Sequence, residues 1–103
     1  MGHKAGKGNS HNDLVKILQL RLYQEQNYDE LSLFIDYCRN GVVGEVDILA
    51  AAGNIWDFYE VKTRRTNKSV KTAHEQYDRF KIAFPSRAND GYLFTGNKGL
   101  ENL

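Results

Sequence analysis

Two apolar runs, Val46-Asp-Ile-Leu-Ala50 and Ile55-Trp-Asp-Phe-Tyr-Glu-Val-Lys62, are joined by Ala-Ala-Gly-Asn and carry charged residues inside them. Runs of this length and composition around a Gly-containing break predict a β-hairpin. Side chains alternate along a strand, so Glu60 and Lys62 share a face, and so do Glu45 and Asp47. A two-residue loop at Ala52-Gly53 pairs Asp47 with Phe58 and Glu45 with Glu60. A four-residue loop, Ala52 to Ile55, pairs Asp47 directly with Glu60. Either even-numbered loop gathers both acids and the lysine on one face, within about 5 Å where positions are directly opposed. A three-residue loop splits them unless a bulge restores the alternation.

Elsewhere the chain supplies what such a hairpin needs to become a sheet with two covered faces. Leu14, Val15, Leu18 and Leu22 follow helical spacing, predicting a helix from Asp13 to about Gln26 with Ser10, Asn12 or Asp13 as cap. Asn27 to Glu30 reads as a connection, Leu31 to Tyr37 as a strand, and Arg39-Asn40-Gly41 as a turn. Val70, Ala73, Tyr77, Phe80 and Phe84 predict a second helix from about Ser69 to Phe84, closed by Pro85. Gly91 to Thr95 reads as a final strand, after which Gly96, Asn97 and Gly99 close the chain loosely. The expected class is α/β, in the order αβββαβ, with a mixed central sheet flanked by helices.

The chain's 103 residues suffice for one domain. The expected layout is a flexible basic, Gly-rich arm over residues 1–11 and a single domain over 12–103. No apolar run approaches the roughly 20 residues that span a bilayer, so no membrane partner is expected. Cys38 is the only cysteine, which removes intrachain disulfides and cysteine-based zinc sites and points to an intracellular, cytoplasmic setting.

Two neighbouring carboxylates repel each other, and burying both raises one pKa strongly. A divalent ion such as Mg²⁺ or Mn²⁺ removes that penalty, activates water and offsets charge on a phosphoryl group. A lysine beside the pair can stabilise developing negative charge. Asp47, Glu60 and Lys62 are therefore a set of parts for phosphodiester hydrolysis. The net charge is only +1, but Lys62, Arg64, Arg65, Lys68, Lys71, Arg79 and Lys81 face only Glu75 and Asp78 across their segment. This stretch makes a phosphate-facing surface beside the acids.

Asp47 followed by Glu60-Val61-Lys62 resembles the PD-(D/E)XK nuclease superfamily, whose core is restriction-endonuclease-like. More narrowly, Arg39 to Ala50 and Phe58 to Arg64 are similar to two groups. One is a family of small bacterial endonuclease-like proteins with GEID and VEVKTR segments. The other is the archaeal Holliday junction resolvases, which also share the Lys7-Gly8 opening. The resemblance implies catalytic roles for Asp47, Glu60 and Lys62. It implies metal binding by Asp47, Glu60 and the Val61 carbonyl, with Glu45 or His11 in support where resolvases carry a glutamate. It further implies nucleic-acid contacts at Arg64, Arg65, Lys68, Lys71 and Gln76, a DNA substrate, structure selectivity, a homodimer, and a prokaryotic or viral source. The alternatives are a catalytically weak nucleic-acid-binding module of the same fold and a plain α/β subunit that meets a protein partner.

Overall fold

The computed structural model describes residues 10–103. Residues 1–9, with most of the expected arm and the Lys7-Gly8 opening, lie outside the described residues. Helix α1 (His11–Glu25) takes in His11, and Ser10 caps it by accepting a hydrogen bond from the Asp13 N–H at 3.2 Å. Leu14, Val15, Leu18 and Leu22 form its buried stripe, and Gln26 ends it in the left-handed conformation. Strands β1 (Glu30–Arg39), β2 (Val42–Ala52) and β3 (Ile55–Lys62) form a meander. The first turn is Asn40-Gly41, with both residues at positive φ, as the tightest hairpins require.

Helix α2 (Asn67–Ala83) starts at a reciprocal capping box between Thr66 and Ser69, and Ala73, Tyr77, Phe80 and Ala83 are its buried positions. It crosses from β3 to β4 (Ala88–Thr95), which runs parallel to β3. The C-terminal stretch expected to close the chain loosely is instead a fifth strand, β5 (Gly99–Asn102), antiparallel to β4. No run of apolar residues announces it. The neighbouring strand's free edge and the Arg65–Glu101 ion pair at 2.7 Å hold it in place.

The sheet order is β1-β2-β3-β4-β5. One core, built on Leu14, Val15, Leu18, Leu22, Ile48, Tyr59 and Val61, lies under α1. A second, built on Val46, Phe58, Tyr77 and Phe80, lies under α2. The result is a helix–sheet–helix sandwich around β3, whose residues Asp57–Val61 are all buried. A side chain as fully buried as Leu18 contributes about 2 kcal/mol by leaving water. Among the described residues, no helix is long and apolar enough to cross a membrane.

The sheet departs from regular geometry in two places. Between Trp56↔Ala88 and Phe58↔Gly91 the β3–β4 register shifts, so Asn89 and Asp90 face the single residue Asp57. The buried Asp57 carboxylate gathers the excess by accepting hydrogen bonds from Tyr28 Oη (2.6 Å), Asn89 Nδ2 (2.9 Å) and the Asp90 N–H (3.0 Å). The second irregularity lies on β1 and β2, where Val46 packs under α2 but Ile48 under α1. Residues two apart on a regular strand share a face, so the pleat breaks at Asp47. Its neighbour across the ladder, Phe34, sits between the pairs Leu33↔Ile48 and Ile35↔Val46 at φ 54°.

Packing beneath α2 yields a testable consequence at Gly91. A Cβ there would stand 2.7 Å from three atoms of the Tyr77 ring, and that ring is anchored by its hydroxyl donating to the Asn89 carbonyl at 2.6 Å. Gly91→Ala is therefore expected to cost about 1–3 kcal/mol, read as a lower urea midpoint with the slope unchanged.

Candidate active site

The β2–β3 ladder turns through Gly53-Asn54, with Ala52↔Ile55 as its first pair and Ile48↔Tyr59 as its last. The loop has two residues, displaced by one position from Ala52-Gly53, so the register is that of the four-residue alternative. Continued past Ile48, that register sets Asp47 opposite Glu60. The two strands part at this point: β2 stays with β1, while β3 pairs with β4 through Lys62↔Thr95. The Asp47 side chain fills the fork, and its Oδ2 accepts the Val61 N–H at 2.8 Å. A carboxylate has replaced a ladder partner, so its position is fixed by main chain.

Glu60 and Lys62 lie on one side of β3, with Lys62 Nζ 3.2 Å from Glu60 Oε2. Glu60 is 4% exposed, and its carboxyl is near enough to Asp47 to feel that charge. Burial first, and the Asp47 charge second, push the Glu60 carboxyl up to about 7 despite the lysine. His11, in the first turn of α1, places Nε2 3.2 Å from Asp47 Oδ2. Partial burial pulls its imidazole down, but Asp47 outweighs this and holds it above its usual range. The α1 N-terminus thus reaches the acids, where its partial positive charge favours them.

The structure brings together Asp47, Glu60, Lys62, the Val61 main chain and His11. Glu45 does not join Glu60; it lines an open cleft of about 280 Å³ with His11, Asn12, Phe34, Asp36, Val46 and Asp47. Arg64, Lys68 and Lys71 are exposed beyond Lys62, while Arg65 is engaged by Glu101 and donates its N–H to Asn97 Oδ1 at 2.8 Å. Gln76 precedes Tyr77, whose ring packs on Phe58 at 5.4 Å, and the buried Gln76 Oε1 has no hydrogen-bond partner among the described residues. Phe34 and the Asp57 network escaped sequence reasoning. An exposed Phe looks like any strand residue, and an acid inside an apolar strand reveals no partners.

The donor set suits a hard divalent cation of modest coordination demand. Among the described residues, no three His, Cys, Asp or Glu side chains stand at metal-binding spacing. Mg²⁺ binds through one or two carboxylates and keeps several waters, so two acids are sufficient for it. The fit rests on two buried carboxylates at facing positions, Asp47 and Glu60, whose mutual repulsion a cation would relieve.

The same pair fixes a pH dependence. The Glu60 carboxyl has a folded pKa above its ordinary 4.5, so its stabilising protonated form is fully present below about 4.5 and is lost as pH rises through about 7. His11 is raised too, and it acts in the same direction. In EDTA, the stability measured by urea unfolding is expected to fall between pH 5 and pH 8 by on the order of 2 kcal/mol. Glu60→Gln should flatten most of that fall.

A family model described as Uncharacterised protein family UPF0102 matches residues 19–101, which include Asp47, Glu60, Lys62 and the whole sheet. The match begins inside α1, after His11. Comparison with curated proteins gives no match.

Proposed function

We propose that this chain, which belongs to the uncharacterised protein family UPF0102 in the restriction-endonuclease-like (PD-(D/E)XK) superfamily, is a divalent-metal-dependent endonuclease that hydrolyses DNA phosphodiester bonds. One observation carries the reading: two buried carboxylates at facing positions in the fork of β2 and β3, Asp47 held by the Val61 N–H and Glu60 paired with the Lys62 amine. A structural acid pair would be buried at a cost with no return.

In this reading Asp47, Glu60 and the Val61 carbonyl hold Mg²⁺ or Mn²⁺, which when bound lowers the pKa of water and neutralises charge on the phosphoryl group. Val61 N–H and His11 orient Asp47. Lys62 stands where it can stabilise the charge that builds as water oxygen bonds to phosphorus and the bridging ester bond breaks. The departing oxygen takes a proton, leaving a phosphomonoester and a hydroxyl. Arg64, Lys68 and Lys71 contact flanking phosphates. Arg65 braces the β3–α2 connection through Glu101.

A chain this small presents one site, so cutting both strands of a duplex calls for two copies, and a homodimer acting on branched or otherwise distorted DNA fits the reading. The runner-up, a nucleic-acid-binding module with little turnover, draws on the lack of a third metal-spaced acid among the described residues. Plasmid and four-way-junction substrates separate the two. Cleavage that needs Mg²⁺ or Mn²⁺ and stops in EDTA supports the endonuclease. Salt-dependent binding without cleavage in any divalent metal supports the module.

A further inference from the structure

We infer that Phe34 and the cleft beside Asp47 form a pocket for an unstacked nucleobase, which selects DNA that is unpaired next to the bond to be cut. The pocket rests on the proposed nuclease function and names the part of the substrate that enters this cleft.

Three observations carry it. Phe34 is 51% exposed although it lies within a strand, and it stands across the β1–β2 ladder from Asp47. Its backbone lies at φ 54°, a conformation that is a genuine outlier for a bulky side chain and that Gly or Asn accepts far more readily. Strain of this kind persists where the surrounding structure imposes it, and it clusters at ligand clamps. The ring is not consumed by packing. Among the described residues its aromatic neighbour is His11, with centroids 6.4 Å apart at 44°, and it belongs to neither hydrophobic core.

The walls of the cleft decide what enters. Asp36 and Glu45, directly opposed across the ladder, stand beside Asp47 on its rim. Like charges so placed repel each other and repel phosphate. Among the described residues no lysine or arginine lines the cleft, whose basic side chain is His11, and Lys62, Arg64, Lys68 and Lys71 lie outside it. The backbone of a nucleic acid is thus drawn past Lys62, while an uncharged aromatic group is the part that an acid-rimmed cleft with an open Phe ring accepts. The acids can also take hydrogen bonds from base amino groups. Base–aromatic stacking is independent of sequence, so the selection is for an available base rather than for a motif.

The test measures binding to a DNA duplex carrying one unpaired 2-aminopurine and to its fully paired counterpart, with Ca²⁺ in place of Mg²⁺. The wild type should prefer the unpaired probe by about tenfold or more and should quench its fluorescence by stacking. Phe34→Ala and Phe34→Asn should bring the preference to about one and remove the quench, while Phe34→Trp retains both. Phe34→Asn should melt at or above the wild-type temperature, because it removes strain. Preference and quench that survive in Phe34→Asn overturn the base pocket and leave the nuclease function standing. A marked drop in the melting temperature of Phe34→Asn also overturns it, since the ring would then be serving packing. Failure of the wild type to bind either duplex removes the nuclease function and the pocket with it.

Discussion

Replacing Asp47 with Asn is expected to lower Mg²⁺-dependent DNA cleavage by about a thousandfold or more, with the fold retained. The substitution keeps the shape and leaves an amide oxygen able to accept the Val61 N–H that Asp47 now holds at 2.8 Å. What it removes is charge. An amide is a poor substitute for a carboxylate on a hard cation, and lost electrostatic stabilisation at one position costs about 10²–10³ even where no metal is involved. Lys62→Ala should cost on the order of 10²-fold, because the amine acts on the developing charge rather than holding the cation. Single-turnover cleavage with matched circular dichroism spectra checks both. Cleavage by Asp47→Asn within tenfold of wild type would remove Asp47 from the site.

The second large effect is on stability, at the opposite end of β3. Asp57→Ala deletes the acceptor of three hydrogen bonds and leaves Tyr28 Oη, Asn89 Nδ2 and the Asp90 N–H to find other partners. Tyr28 Oη also meets Tyr59 Oη at 2.6 Å, so part of the network closes on itself. Burial pushes the Tyr59 hydroxyl up to about 12, and burial together with Asp57 raises that of Tyr28 further, so both remain protonated donors. The three bonds are part-buried, and a hydrogen bond to a charged acceptor is worth about 1.5–3 kcal/mol, so with water replacing some of them the loss is about 3–5 kcal/mol in all. At about 4–8 °C per kcal/mol for a domain near this size, the melting temperature should fall by roughly 12 °C or more. A fall of only a few degrees would mean that the β4 irregularity holds without Asp57.

The fold was legible where burial imposes a period. Leu14, Val15, Leu18 and Leu22 gave α1, and Ala73, Tyr77 and Phe80 gave α2, because helices on a sheet must turn one stripe inward. The pairing of β2 with β3 was legible as a choice between registers, and the turn at Gly53-Asn54 selected one. Strand β5 was not, since its four residues carry no apolar run of their own and it is held by pairing with β4 and by Arg65, 36 residues earlier in the chain than Glu101. The approach of His11 to Asp47 depends on where a whole helix docks, and local pattern only suggests that. The break at Phe34 and Asp47 was illegible for a deeper reason. Alternation is an inference from regular strands, and the site lies where two strands cease to be regular. That departure lets an acid occupy the plane of the sheet.

The central claim is that Asp47 and Glu60 share a divalent cation, and calorimetric titration of Mn²⁺ or Mg²⁺ into the protein without DNA tests it most directly. Binding of one ion per chain is expected at pH 8. It should weaken as the pH falls below about 7 and Glu60 regains its proton, and it should disappear in Asp47→Asn. Binding equally tight in Asp47→Asn, or no binding at millimolar metal in the wild type, would contradict the account.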